Sequence, residues 1–179
     1  MKRKLYIGLF FMLLSVTSVA QVNEQYTFVY NLHGQTRRYE VNIKEMKDTV
    51  RFEWSTLRNS TGLKGCYKMG LRNIQEGEAL SWIQPVDGSE VVLPASETFG
   101  FISRRAWKSL KEKNYFTYNG TTYRKVNDNV TELKEYKGKK LIHVLGDIDL
   151  TNMWIIDNEA LPLIYKITDN PLEIDWIVE

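Results

Sequence analysis

The chain has 179 residues, with 24 Lys and Arg against 22 Asp and Glu, 12% aromatic residues and a single cysteine. This length suits one domain large enough to bury a core without disulfide bonds. The near-balanced, sign-mixed charge gives no electrostatic basis for binding nucleic acid or anionic lipid.

The first twenty residues have the pattern of a secretory signal peptide. Residues 2–4 are basic, residues 5–14 are apolar, and small residues lead to Ala20 before Gln21. The apolar run of about ten residues is shorter than the roughly twenty that a membrane-spanning helix needs. We therefore predict an exported protein, periplasmic or secreted, with no integral membrane segment after cleavage. Residues 21–179 form one domain, with 21 basic against 22 acidic residues and a formal charge of −1.

The N-terminal part of this domain alternates apolar and polar residues, which predicts β-strands. The alternating segments are residues 26–32, 37–43 and 50–54, and His33-Gly34 and Lys47-Asp48 are the turns between them. Three such segments at about ten-residue spacing indicate an antiparallel meander. Residues 63–71 form a further possible strand, interrupted by glycines.

The middle of the chain predicts a hairpin and then a helix. Residues 79–84 and 90–93 flank Asp87-Gly88, a favourable hairpin turn. The apolar period then changes to three and four residues. It predicts one amphipathic helix near residues 99–112, with Ser96 suited to its start and Asn114 to its end.

Strands return after the helix. Asn119-Gly120 is the strongest two-residue hairpin signal, and Lys137-Gly138 is a second turn. The predicted strands are residues 115–118, 122–126, 131–136, 141–148, 153–156, 161–167 and 172–178.

About ten short strands and one helix define a mostly β fold. The strands must bury their apolar faces and protect their edges, and closure into a barrel does both. A two-sheet sandwich is the alternative. A barrel of this strand number can enclose a ligand cavity.

The order of exported meander, single helix and further antiparallel strands resembles small lipocalin-like (calycin-type) β-barrels of the bacterial envelope. The closing segments, residues 154–158, 161–164 and 170–176, are similar to those of uncharacterised secreted proteins of that kind. The resemblance implies a barrel fold and brings no catalytic residues with it.

The chain is rich in aromatic residues, with five tryptophans and ten tyrosines, and this is the feature of the composition that says most about function. Flat apolar rings with one polar atom suit a binding cavity, a protein interface or an ordinary core. If a cavity exists, the residues we predict in its wall are Tyr30, Trp54, Trp82, Tyr123 and His143.

No catalytic, metal or cofactor site is predicted. His33 and His143 lack neighbours with metal-ligand spacing, Cys66 lacks a histidine partner, and no serine lies in a nucleophile elbow. Asp147 and Asp149 share one strand face and could bind a cation, or could be a solvated strand end.

Three functional hypotheses follow. The first is a non-enzymatic binding domain that holds a small apolar or amphipathic ligand. The second is a surface interaction module that binds a protein or glycan at the cell surface. The third is a hydrolase with a spatially assembled site around His143 and the two aspartates.

Overall fold

The computed structural model describes residues 22–46, 48–56, 62–126 and 135–179. Strands make up 56% and helices 11% of these residues, which confirms the mostly β class. The strands are β1 (Val22–Leu32), β2 (Gln35–Met46), β3 (Thr49–Thr56), β4 (Lys64–Gly70), β5 (Ala79–Leu80), β6 (Glu90–Val92), β7 (Glu97–Thr98), β8 (Tyr115–Tyr118), β9 (Thr121–Lys125), β10 (Glu135–Tyr136), β11 (Lys139–Gly146), β12 (Asn152–Ile156), β13 (Ile164–Thr168) and β14 (Ile174–Val178). The helices are α1 (Leu71–Glu76) and α2 (Arg104–Lys113). The predicted signal peptide at residues 1–20 lies outside the described ranges, as does most of the predicted strand at residues 131–136.

One large sheet contains twelve of these strands. Eleven of them follow the order β6-β4-β3-β2-β1-β14-β13-β12-β11-β9-β8, and β10 pairs with β11 beside that path. The pairing of β4 with β6 is parallel, and all other pairs in the sheet are antiparallel. The first and last strands, β1 and β14, are therefore neighbours in the middle of the sheet, with Tyr30 opposite Trp176.

The predicted closed barrel is not found in the described part of the chain. The sheet ends at β6 and at β8, and no ladder joins these two strands there. Instead, other segments of the chain, among them residues 99–103, pack against one face of the sheet and bury it. No helix among the described residues is long and apolar enough to cross a membrane.

The hairpin turns agree with their sequence signals. His33-Gly34, Asn119-Gly120 and Lys137-Gly138 each have positive φ at both residues. This is the type I′ geometry, whose twist matches the flanking strands. The hairpins β1–β2, β8–β9 and β10–β11 form around these turns.

The segment before α2 differs from the predicted helix start. Gly100 has φ +74°, which no α-helix accepts, and the helix begins only after Ser103, whose hydroxyl accepts the Ala106 N–H. Residues 99–103 instead cross the buried face of the sheet, with a bend at Phe99 and Gly100 and a bridge from Phe101 to Leu163. Gly100 O accepts the Ile164 N–H, and the Phe101 ring stacks on Phe52 at 6.0 Å. This stretch, which we call the crossing segment (residues 99–103), is therefore part of the buried core on this face of the sheet.

Two further elements differ from the sequence prediction. Helix α1 was not predicted, because six residues are too few to show a helical period. The predicted hairpin at residues 79–93 does not form, although Asp87-Gly88 is a turn. Instead β5 pairs in parallel with β7, and β6 pairs in parallel with β4. The Asp-Gly signal predicts that the backbone turns at these residues, but it does not predict which strands pair with each other.

Candidate functional site

An aromatic pocket lies where β1, β2 and β14 meet the loop after β5. Its walls are five aromatic side chains, namely Tyr30, Tyr39, Trp82, Phe99 and Trp176. Tyr30 is central, because its ring centroid lies 5.6 Å from that of Tyr39 and 5.6 Å from that of Trp176. Trp82 closes the cluster from the loop side, 6.0 Å from Trp176.

The mouth of this aromatic pocket has an apolar rim. Leu32 and Ile174 are paired across β1 and β14, and both are only partly buried. Ile83 and Pro85 complete the rim from the loop, and Ile83 is 37% exposed. The Ile83 carbonyl accepts a 3.3 Å hydrogen bond from the Tyr67 hydroxyl, which holds the loop against the sheet. The surface around the pocket is therefore apolar and held in position.

The pocket floor contains polar atoms as well. The Ser81 hydroxyl is buried and has no hydrogen-bond partner among the described residues. An unsatisfied buried hydroxyl costs free energy comparable to a lost hydrogen bond, so it favours a ligand that can supply the missing partner. Burial raises the pKa of Tyr30 far above its usual value, so its phenol stays neutral.

The pocket is almost filled by its own walls. Its free volume is about 30 Å³, enough for one water molecule. The larger depressions, of about 370, 550 and 660 Å³, are open to solvent. The first of them shares Tyr30 and Trp176 with the aromatic pocket, and the other two lie on other parts of the surface. A drug-sized ligand needs a site of about 300 Å³ or more that encloses it. In this conformation the pocket accepts only part of a side chain.

Of the five predicted wall residues, two belong to the aromatic pocket and one borders it. Tyr30 and Trp82 lie in the wall. The Trp54 ring makes an edge contact with Tyr39 at 5.8 Å, one layer behind the wall. The alternation of β2, which places Tyr39 on the same sheet face as Val41 and Ile43, was the signal that could have identified Tyr39 as well.

Tyr123 and His143 lie elsewhere. Tyr123 stacks on Phe116 at 5.3 Å, and its hydroxyl donates to Asp149. His143 stacks on Trp154, its partner in the β11–β12 ladder, with ring centroids 4.4 Å apart and an interplanar angle of 3°. Sequence spacing could not separate these positions, because each lies on a regular strand with the same alternation as the pocket residues.

The two aspartates considered for a cation have other partners. Asp147 forms an ion pair with Arg124 at 3.0 Å, and Asp149 accepts hydrogen bonds from the Thr151 amide and Tyr123. No group of three potential metal ligands is present in the part of the chain that is described. These contacts favour the interpretation of both aspartates as parts of a structured turn.

Cys66 is a buried group of the outer sheet face. It is 6% exposed and lies beside Glu53 and Glu90 in neighbouring strands. Burial raises the pKa of the Cys66 thiol, which disfavours the reactive thiolate. This environment suits a structural cysteine.

No family model matches this chain, and neither a curated protein nor a solved structure shows significant similarity to it. The geometry of the aromatic pocket is therefore the basis for a functional proposal.

Proposed function

We propose that this chain is an exported interaction module that binds an apolar side chain of a partner protein in the aromatic pocket. The observation that carries this proposal is the apolar rim around a pocket whose walls are five aromatic rings. Rings of this kind, held rigidly and surrounded by aliphatic groups, are typical of the energetic centre of a protein interface.

We propose a protein side chain as the ligand, and not a whole small molecule, because the free volume of the pocket is small. A free space of about 30 Å³ takes a methyl group, and the rim supplies the remaining contact area. A glycan is disfavoured, because the rim offers aliphatic groups where sugar hydroxyls need hydrogen-bond partners.

N-acetyl-leucinamide is a suitable probe, since it carries one branched aliphatic side chain and no charge. In a titration of residues 21–179 followed by NMR, we expect shifts at the Trp82 and Trp176 indole N–H signals and in residues 81–85. Ile83→Asp, which places a carboxylate on the rim, should weaken this binding at least fivefold. Val86→Asp is the matched control, because Val86 lies in the same loop, is 62% exposed and does not line the pocket.

Shifts spread evenly over the surface, or equal binding by the Ile83→Asp and Val86→Asp variants, would contradict the proposal. Both substitutions are at exposed positions, so the variants should remain folded.

A second candidate function is the binding of a small amphipathic ligand, and the buried Ser81 hydroxyl favours it. Such a ligand would displace residues 81–85, place its apolar part among the rings and hydrogen-bond to Ser81. Native mass spectrometry of gently purified protein tests this candidate. A retained mass of a few hundred daltons that is absent from a Ser81→Leu variant would support it, and a clean apo mass would favour the interaction module.

Export through the signal peptide, and a relationship to lipocalin-like barrels, remain parts of this proposal. Secretion of a fusion that carries residues 1–20 ahead of a reporter enzyme tests the first of them.

A further inference from the structure

The turn between β11 and β12 exposes two large aliphatic side chains. Ile148 is 75% exposed and Leu150 is 62% exposed. We call this pair the apolar tip. Aliphatic side chains of this size are usually at least partly buried. Two of them exposed together on one turn form a small apolar patch, which is typical of an interaction site.

The apolar tip is held rigidly. Asp149 accepts hydrogen bonds from the Thr151 amide at 3.1 Å and from the Tyr123 hydroxyl at 3.3 Å. The Gly146 amide donates to the Thr151 carbonyl across the base of the turn. Leu150 has φ +56°, a conformation that leucine rarely adopts and that asparagine or glycine would adopt more easily. The turn therefore keeps an exposed leucine at a position where a polar residue would fit the backbone better.

The apolar tip and the aromatic pocket lie at the same end of the sheet. In the antiparallel order β11-β12-β13-β14-β1, the turn after β11, the turn after β13 and the turn after β1 must share one end. Hydrogen bonds join these turns in sequence. The Asn152 amide group donates to Asp169 at 3.0 Å, and the His33 amide donates to the Glu173 carbonyl at 3.0 Å.

Leu172 extends the apolar surface between the two features. It is 48% exposed and lies two residues before Ile174 of the rim. One end of the molecule thus carries a projecting aliphatic pair, an exposed leucine and a pocket that accepts aliphatic groups.

Charges at this end are also complementary. Asp149 lies between the two residues of the apolar tip and has no ion pair with the described residues, whereas Asp147 is paired with Arg124. Arg37 lies opposite Tyr30 in the β1–β2 ladder, and its exposed guanidinium contacts only the Gln35 side chain, at 3.4 Å, in the described part of the chain. A carboxylate in the tip and a guanidinium near the pocket, neither of them in an ion pair within the described part of the chain, favour pairing between copies.

We propose that two copies of this chain form a two-fold dimer through this end, with the apolar tip of each copy in the aromatic pocket of the other. The inference rests on the proposed function and names its partner as a second copy. Because tip and pocket share one end, both contacts form in the same closed pair, as a two-fold interface requires.

The experiment uses residues 21–179 in sedimentation velocity, from about 1 µM to a few hundred µM, a range that detects dissociation constants in the micromolar region. The wild-type protein should shift from monomer to dimer. The tip variant Ile148→Ser/Leu150→Asn and the pocket variant Ile83→Asp should each stay monomeric. Val92→Asp, at an equally exposed valine on the edge strand β6, should dimerise like the wild type.

Mixing the two deficient variants gives the decisive result. The mixture restores one of the two contacts, since the intact tip of the pocket variant meets the intact pocket of the tip variant. We expect a heterodimer weaker than the wild-type dimer and no larger species. A wild-type protein that stays monomeric, or variants that dimerise like the wild type, would overturn the dimer. In that case, leucinamide binding that Ile83→Asp abolishes would leave the proposed function standing.

Discussion

At the scale of single residues, close packing decides which side chain a position accepts. Gly65 lies in β4 with its Cα against the indole of Trp54. A Cβ at this position would lie 2.5 Å from Trp54 Cζ2 and 2.8 Å from the Ser89 carbonyl oxygen. The Ser89 carbonyl is fixed by the Cys66 amide, so neither neighbour moves without disturbing the β4–β6 pairing.

Gly65→Ala should therefore destabilise the protein by about 1–3 kcal/mol, the usual cost of overpacking. Gly70→Ala is the control in the same strand, because its nearest neighbour would be 3.8 Å away and its φ is −83°. The free energy of unfolding in urea measures both effects. Equal values for the two variants would show that Trp54 adjusts at little cost.

At the scale of the elements, a small network of hydroxyl groups joins helix α2 to strand β8. The fully buried Tyr118 hydroxyl accepts the Ser103 amide N–H at 2.9 Å and shares a 3.0 Å hydrogen bond with Thr98. The Ser103 hydroxyl donates to the Gly77 carbonyl at 2.6 Å. The start of α2, the end of α1 and β8 are thus fixed to one another through side chains.

Tyr118→Phe should cost about 1–3 kcal/mol, because it leaves the Ser103 N–H buried without a partner. Tyr115→Phe removes the same hydroxyl from an exposed tyrosine of the same strand, and it should change stability by less than about 0.5 kcal/mol. Thermal unfolding of the two variants beside the wild type tests this. A Tyr118→Phe variant as stable as Tyr115→Phe would contradict the role of the network.

The elements also show what local sequence could predict. The strands around His33-Gly34 and Asn119-Gly120 were predicted correctly, because alternation and turn chemistry are both local properties. The start of α2 was misplaced, because Phe99 and Ile102 happen to match a helical spacing. The backbone at Gly100 and the bonds of Ser103 decide that start, and both depend on contacts with distant parts of the chain.

At the scale of the whole molecule, the outer face of β2, β3, β4 and β6 carries a connected set of ion pairs. Glu53 contacts Lys44 at 2.7 Å and Arg51 at 3.3 Å, and Arg51 also contacts Glu90. Glu90 in turn pairs with Lys68. The hydrogen bond from Lys44 is the main cause of the lowered pKa of Glu53, and Arg51 adds to it.

A lowered carboxylate pKa stabilises the folded protein above the ordinary value of 4.5, and this stabilisation is lost as the pH falls through the lowered pKa. Glu53→Gln should therefore be less stable than the wild type at pH 7, by about 1 kcal/mol or less, and the difference should shrink towards pH 3. Glu40→Gln, on the same sheet face and without an ion pair to the described residues, should show a smaller effect. Urea unfolding from pH 7 to pH 3 gives the comparison, and a constant difference would contradict it.

The arrangement of the whole sheet was less predictable than its strands. Tyr30 and Trp82, both predicted for a cavity wall, line the same pocket only because β14 inserts next to β1 and the loop after β5 folds over both. Periodicity reports which face a residue uses and not which strand lies beside it. The packing of the crossing segment against Phe52 and Ile164 is an arrangement of the same non-local kind.

The position of β14 between β1 and β13 has a consequence for biogenesis. The ribosome makes β1 early, but one of its two neighbours in the sheet is β14, which comes much later in the chain, so the middle of the sheet stays open until β14 has been made. Pairings of such long range form slowly, so β1 lacks one of its two neighbours during much of folding. Truncation of residues 174–179 should accordingly yield a protein that proteases degrade much faster than the full chain, since it would leave β1 and β13 as two unpaired edges in the centre of the molecule.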